Sequence, residues 1–203
     1  VRAGYLDQDT VTERYRLGRM VAVLGRAATD SLNLADAQAV LDTAAAECGE
    51  SVSLGVIDDR DVLILATAES SQPLRFDRAT GSRTPVHASA IGKAILAFAP
   101  RDRWRGPSTT LPAFTERTIV AGVDLEGQLE QIRSDGVALN LEERYVGVCA
   151  VAAPVLDAAG VARAGVGFQV PLARFGADRQ RELSERAVTL AAELAEALPL
   201  DRL

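Results

Sequence analysis

Residues 147–170 read GVCAVAAPVLDAAGVARAGVGFQV, which is two apolar runs separated by a short polar segment. The runs at 147–156 and 162–170 alternate or are continuously apolar, a pattern typical of buried strands. The segment between them, DAAG at 157–160, has the composition of a turn. Because a turn this short joins strands that run in opposite directions, the stretch predicts two antiparallel neighbours in one sheet.

Further strands and helices are predicted on the N-terminal side of this stretch, and one helix after it. Strands are indicated at 51–57, 61–68 and 137–141, the first two joined by the turn DDR at 58–60. Apolar residues at helical spacing predict helices at 34–48, 87–99, 124–134 and 178–198, and the segments 81–85 and 103–115 are predicted as loops. Strands joined by short turns exclude a simple βαβ array, so we predict an α+β fold with a mixed or mostly antiparallel sheet.

The first 31 residues follow a different pattern. Short aromatic-containing segments at 3–6 and 14–17 flank the polar stretch 7–13, which predicts a hairpin with an acidic loop. Apolar residues at helical spacing then predict a linking helix at 19–29. A lone hairpin is not stable in water and the helix has no partner in so short a segment, so we expect the chain to self-associate.

The composition excludes several classes of protein. Of 203 residues, 48% are hydrophobic, which is enough for a proper core, yet no window approaches the roughly 20 apolar residues of a membrane helix. The first residues do not resemble a signal peptide, so we expect a cytoplasmic protein with no membrane partner. The net charge of -6 argues against this chain gripping a nucleic-acid backbone. Cys48 and Cys149 belong to no Cys-x-x-Cys pair, so no disulfide, metal site or cofactor is expected.

Four segments of the sequence, taken together, form a pattern that is specific enough to compare with a known family. They are GYL at 4–6 with YRLG at 15–18, PVHASAIGKAILA at 85–97, IRSDGVALNLEE at 132–143, and GVCAVAAPV at 147–155. In order and spacing they resemble the IclR-type (isocitrate lyase regulator) family of bacterial transcription regulators: a wing hairpin, the His-Ala-Thr/Ser-x-x-Gly-Lys-Ala helix, the Ile-Arg-x-x-Gly-Tyr-Ala…Glu-Glu segment and a following strand. The resemblance covers nearly the whole chain.

The resemblance implies a GAF-like effector-binding domain, which is a curved sheet with helices on both faces and a small pocket above the strands. It implies three regions: 1–18 as the remnant wing hairpin of a winged helix-turn-helix, 19–32 as a linker helix, and 33–203 as the effector-binding domain. The expected role is to sense a small metabolite and to oligomerise, as a homodimer or homotetramer. The chain begins at Val1 without Met, so we expect a fragment whose intact protein contacts operator DNA only through the missing N-terminal domain.

The resemblance also implies effector contacts at particular positions. They are the two residues before Gly-Lys, the polar residue shortly before Glu-Glu, and alternate positions of the last two strands, here Ala90, Ile91, Asn140, Ala150, Gly167 and Gln169. Asn140 and Gln169 would orient the ligand, while Arg83 and Arg75 are the nearest candidates to pair a carboxylate. Because this chain has Gly, Asn and Ala where several members have Ser, Asp or Cys, we expect a larger or more apolar effector, such as an aromatic or other carboxylic acid.

Gly92-Lys93 is not a phosphate loop, because the Gly five residues earlier and the Ser or Thr after Lys are missing. The helix beginning at His87 could instead hold a carboxylate on its first-turn amides, or its small residues could serve only close packing. Gly167 should share a face with Gln169, so Gly167→Leu is expected to fill the cavity while the protein stays folded.

Two other functions are open. A small hydrolase would use Cys149 or His87, although no activated thiol signature surrounds Cys149 and His87 would need a nucleophile and an acid brought to it. A pure dimerisation module would have a pocket that binds nothing. We expect a sensor with no catalytic residue rather than an enzyme. An enzyme would release product from a substrate panel, whereas a sensor would show only ligand-dependent melting shifts.

Overall fold

The structure is a computed structural model that describes residues 3–100 and 111–203, so most of the predicted loop at 103–115 lies outside the described residues. Within these ranges the chain forms eight strands and five α-helices. In order they are β1 (Leu6–Gln8), β2 (Tyr15–Leu17), α1 (Arg19–Ser31), α2 (Leu34–Cys48), β3 (Ser51–Asp58), β4 (Asp61–Ala68), β5 (Arg83–Pro85), α3 (Ala90–Phe98), α4 (Gly122–Asp135), β6 (Ala138–Leu141), β7 (Val148–Leu156), β8 (Ala162–Pro171) and α5 (Ala177–Ala197).

Strands β3 to β8 form one sheet in the order β5-β4-β3-β8-β7-β6, and every neighbouring pair is antiparallel. The predicted α+β fold is therefore confirmed. The loop predicted at 81–85 is wrong in part, because Arg83–Pro85 pairs with β4 as an edge strand. Three residues are too few to show a strand period, and Pro85 is tolerated at an edge, where a missing N–H breaks no interior ladder.

Helices cover both faces of the sheet, as the GAF-like architecture requires. Helices α2 and α5 pack on one face, where alternate residues of β7 and β8, including Val151 and Phe168, are completely buried. Helices α3 and α4 pack on the other face against Val62, Ile64 and Ala152. Because successive residues of a strand point to opposite faces, each central strand contributes to both cores.

Helix α3 begins three residues later than predicted. Val86–Ala88 forms a 3₁₀ turn, and Ser89 then adopts extended backbone and caps the helix, its Oγ accepting from the Gly92 N–H at 3.3 Å. A Cβ at position 92 would lie 2.4 Å from the Val86 carbonyl oxygen. Gly92 is therefore required for the turn to fold back on the helix, which is a packing role.

The N-terminal segment forms the predicted hairpin and helix, but its first strand is Leu6–Gln8 rather than 3–6 and so extends into the stretch predicted as the loop. Strands β1 and β2 pair with Leu6 opposite Leu17, and α1 extends two residues beyond the predicted end. No residue of α1 is buried in the described part of the chain, and Val23 and Leu24 remain 57% and 51% exposed. Within residues 3–100 and 111–203, no helix has the length and apolar character needed to cross a membrane.

Candidate functional site

A small cavity lies between the start of α3 and the strands β6, β7 and β8. Its lining residues come from three places: the helix start, the sheet face and the mouth. They are Ser89, Ala90 and Ile91; Asn140, Val148, Cys149, Ala150, Val151, Ala152, Gly167 and Gln169; and Arg78, Arg144 and Tyr145.

The strand register explains why the sheet residues meet at this cavity. Ala150 lies opposite Gln169, and Ala152 lies opposite Gly167. These four positions alternate with residues that face α2 and α5 on the other side of the sheet. Three of these four positions carry Ala or Gly, so on this face β7 and β8 give the cavity a floor of small residues.

The structure brings six of the sequence-predicted site residues to this one cavity, namely Ala90, Ile91, Asn140, Ala150, Gly167 and Gln169. It does not bring Arg83 or Arg75 there. The Arg83 guanidinium pairs with the Asp58 carboxylate, and Arg75 pairs with Asp77 and Glu69. Their positive charges are thus already neutralised outside the cavity lining.

The two amides predicted to orient a ligand are already hydrogen-bonded within the protein. Asn140 donates to the Ala88 carbonyl at 2.7 Å and accepts from the Glu143 N–H at 3.0 Å. Gln169 donates to the Gly167 carbonyl at 3.0 Å and accepts from the Ser53 hydroxyl at 3.0 Å. Since an amide NH₂ carries two protons, each residue retains a donor but has an engaged acceptor. Both amides therefore offer a ligand a donor, while their carbonyl oxygens already accept hydrogen bonds from the protein.

Gly167 does share the cavity face with Gln169, but its lack of a side chain serves a second purpose. A Cβ at position 167 would lie 2.7 Å from the Val151 carbonyl oxygen and 2.8 Å from the Ala152 Cβ. These atoms belong to the neighbouring strand and cannot move without shifting β7. The expectation that Gly167→Leu leaves the protein intact is therefore replaced by an expectation of destabilisation.

The cavity mouth carries two arginines that the sequence did not single out. Arg78 donates to the Thr84 hydroxyl, and burial lowers its pKa, the positive charge of Arg144 acting in the same direction. The guanidinium carbon of Arg144 lies 3.9 Å from the ring centroid of Phe114 and 5.1 Å from that of Tyr145. Its Nε is buried and has no hydrogen-bond partner among the described residues.

The loop that carries Arg144 is held at both ends. Its backbone turns at Glu142 and Gly147, which have φ of 63° and 83°, and the Glu142 carboxylate accepts from the Gly147 N–H at 2.8 Å. The hydroxyl of Thr118 donates to the Glu143 carbonyl at 2.6 Å, and the Glu143 carboxylate is paired with Lys93. These contacts fix the backbone of the loop that carries Arg144. No periodic pattern in the sequence could have indicated them.

The residues of the alternative hydrolase are not arranged for catalysis. The ring of His87 is buried, with Nε2 3.0 Å from the Pro112 carbonyl oxygen and the Phe114 ring 5.7 Å away. Burial raises the pKa of the Cys149 thiol, and the nearby Glu142 carboxylate acts in the same direction, whereas a nucleophilic thiol needs a lowered pKa. No group of three His, Cys, Asp or Glu residues in the described ranges could hold a metal ion.

Comparison with known proteins gives a consistent result. Residues 26–196 match the family model described as "Bacterial transcriptional regulator IclR C-terminal". The HTH-type transcriptional regulator BhcR of Paracoccus denitrificans is 34% identical over 195 residues, which are 95% of this chain and 70% of that protein. The crystal structure of Thermotoga maritima IclR matches with a TM-score of 0.80 and 25% identity, covering 96% of this chain and 80% of that one.

A further solved structure contains a ligand. It is the double mutant of the PobR transcription factor inducer-binding domain from Acinetobacter, in complex with 3-hydroxybenzoic acid. It matches with a TM-score of 0.69 and 26% identity, covering 78% of this chain and 95% of that one.

Proposed function

The chain belongs to the IclR family of bacterial transcriptional regulators and contains the effector-binding, regulatory domain of such a protein, and we propose that its effector binds in the cavity between α3 and strands β6 to β8. The observation that carries the proposal is the lining of that cavity. Its floor is made of small apolar residues, its mouth holds Arg78 and Arg144, and the lining contains no Asp or Glu among the described residues. Such a lining suits a small organic acid.

The effector in this proposal is an aromatic or other carboxylic acid. The inducer-binding domain of PobR, which has the same fold, was solved with 3-hydroxybenzoic acid. Ala90, Ala150 and Gly167 line the cavity of this chain without a large side chain, so an apolar body bound there would lie against small residues. The site residues carried into the proposal are these three with Ile91, Asn140 and Gln169.

The proposed organisation follows the three regions expected from the sequence. Residues 1–18 are the wing hairpin, 19–32 the linker helix and 33–203 the effector-binding domain, and operator DNA is contacted by a part of the regulator outside these residues. The family forms oligomers, and we place this chain in a homodimer or homotetramer. In this proposal the protein acts in the cytoplasm without catalysing a reaction, because its output is the presentation of DNA-binding domains.

A thermal-shift screen with a library of small organic acids tests the site. At least one acid should raise the melting temperature of the wild-type chain, because a ligand that binds only the folded state stabilises it. Ala150→Leu, which adds bulk to the cavity floor, should abolish this shift, whereas Ala159→Leu in the exposed β7–β8 turn should not. Release of product from the acid would favour the hydrolase instead, and the absence of any shift with acids and neutral metabolites alike would favour a dimerisation module.

A further inference from the structure

The proposed function leaves open which group binds the acid, and the charges at the cavity mouth address this question. The chain as a whole is acidic, with 28 Asp and Glu against 22 Lys and Arg. Yet the cavity is lined by two arginines and no carboxylate, and in the described part of the chain neither arginine forms an ion pair. Two cations that face one cavity repel each other and favour an anion between them.

Of the two arginines, Arg144 is better positioned to bind an anion. Its guanidinium stacks on Phe114 and lies beside Tyr145, so its plane is held by two aromatic rings. Its buried Nε–H has no acceptor in residues 3–100 and 111–203. A buried donor without an acceptor destabilises the ligand-free protein, and that cost is removed when an acceptor arrives. Nε and the adjacent Nη form one edge of the guanidinium fork, which matches the two oxygens of a carboxylate.

Apart from the two arginines, the described lining residues carry no charge. The floor is formed by Ala90, Ile91, Ala150 and Ala152, and the Gln169 acceptor is occupied by the Ser53 hydroxyl. A second carboxylate there could accept only from the remaining amide N–H groups of Asn140 and Gln169 and would meet no second positive charge, which is unfavourable for a buried ion. The lining therefore favours acids with one carboxylate over acids with a carboxylate at each end.

We propose that Arg144 binds the carboxylate of the effector, with Arg78 adding a second positive charge, and that the effector is a monocarboxylate whose apolar body lies on Ala90, Ile91 and Ala150. This inference rests on the proposed function, because it assigns the chemistry of the same cavity. It names Arg144 as the residue that determines specificity for the acid group and orients the carboxylate toward the mouth.

Four probes and three variants test the inference by thermal shift and calorimetry. Benzoate and 3-hydroxybenzoate should stabilise the wild type, whereas benzamide, which lacks the charge, and terephthalate, which has a charge at both ends, should not. Arg144→Gln should raise the Kd for benzoate by about tenfold or more, and Arg144→Lys should lie between, because it keeps the charge but not the fork. Arg181→Gln removes the same charge from an exposed pair with Asp178 and should leave the Kd unchanged.

The outcomes separate the inference from the proposed function. Equal stabilisation by benzamide and benzoate, or an unchanged Kd in a folded Arg144→Gln variant, overturns the role of Arg144 while the cavity remains an effector site. Stabilisation by neutral metabolites but by neither aromatic acid overturns the ligand class. If no compound stabilises the wild type, the proposed function itself fails. The comparison of benzoate with benzamide needs no variant, so it stands even if Arg144→Gln does not fold.

Discussion

The ammonium group of Lys93 donates to both carboxylate oxygens of Glu143, at 2.6 and 2.7 Å, although the two residues lie 50 positions apart in the chain. Both side chains are buried, and Gln128 accepts the remaining contact at 2.8 Å. The pair joins the Gly-Lys of α3 to the Glu-Glu that precedes β7. It therefore couples the helix that begins at the cavity to the loop that carries Arg144.

Removal of one partner of this pair should be costly. Lys93→Met leaves the Glu143 carboxylate buried without compensation, so the free energy of unfolding should fall by about 3–5 kcal/mol. The double variant Lys93→Met/Glu143→Gln should lose less than the sum of the two single changes. Urea unfolding of the four proteins measures both quantities, and strict additivity would show that the pair does not act as a unit.

Gly167→Ala should destabilise the ligand-free protein by about 1–3 kcal/mol, because the added methyl group meets the backbone of β7. Gly127→Ala is the matched control. Gly127 lies in α4 with no atom within 4 Å of an added Cβ, so this change should stabilise the protein by about 0.5–1 kcal/mol. Thermal or urea unfolding shows whether each change lowers or raises the free energy of unfolding. A neutral or stabilising Gly167→Ala would mean that β7 and β8 can separate more easily than their packing indicates.

Cys149 should react slowly with iodoacetamide at neutral pH. Burial raises the pKa of its thiol, so the thiolate fraction is small below that pKa and grows as the pH rises through it. The experiment uses Cys48→Ser, in which Cys149 is the only thiol. Mass spectrometry should show an alkylation rate that increases from pH 7 to pH 9 and decreases when a stabilising acid occupies the cavity. Fast, pH-independent alkylation would indicate an activated thiol and would favour the alternative function as a hydrolase.

Self-association should depend on the apolar face of α1. Val23 and Leu24 are more than half exposed, and their burial in a second copy would remove apolar surface from water. Val23→Asp and Leu24→Asp should each shift the chain toward monomer, as measured by light scattering across a concentration series. Ala22→Asp lies on the opposite side of the helix and should not. A wild-type chain that is strictly monomeric at high micromolar concentration would contradict the prediction.

Local patterns predicted most of the regular structure. The sequence places α2 at 34–48 and β4 at 61–68, which are the bounds that the structure has. Periodicity and end signals such as Gly49 operate within a few residues, so they are visible in a single sequence. The start of α3 was missed because Val86–Ala88 already turns with helical spacing before Ser89 interrupts it.

The site was accessible only in part. Resemblance to the IclR family supplied six positions that the structure brings to one cavity, whereas Arg83, chosen as a nearby cation able to pair a carboxylate, pairs with Asp58 instead. The sequence analysis missed Arg78 and Arg144 because neighbouring residues do not show the direction of an arginine side chain in a loop. An arginine close to the helix start in sequence, such as Arg83, need not lie close to the cavity in space.

The sequence alone indicated the class of fold, because the periods of helices and strands are local, and the family, because four segments resemble it in order and spacing. Only the tertiary structure showed that two arginines line the cavity and that Asn140 and Gln169 are hydrogen-bonded within the protein. It also showed that a side chain at Gly167 would clash with β7. Each of these depends on distances between segments that are far apart along the chain, such as the 50 residues between Lys93 and Glu143. Local propensity carries no information about such distances, which arise only when the two layers of helices close on the sheet.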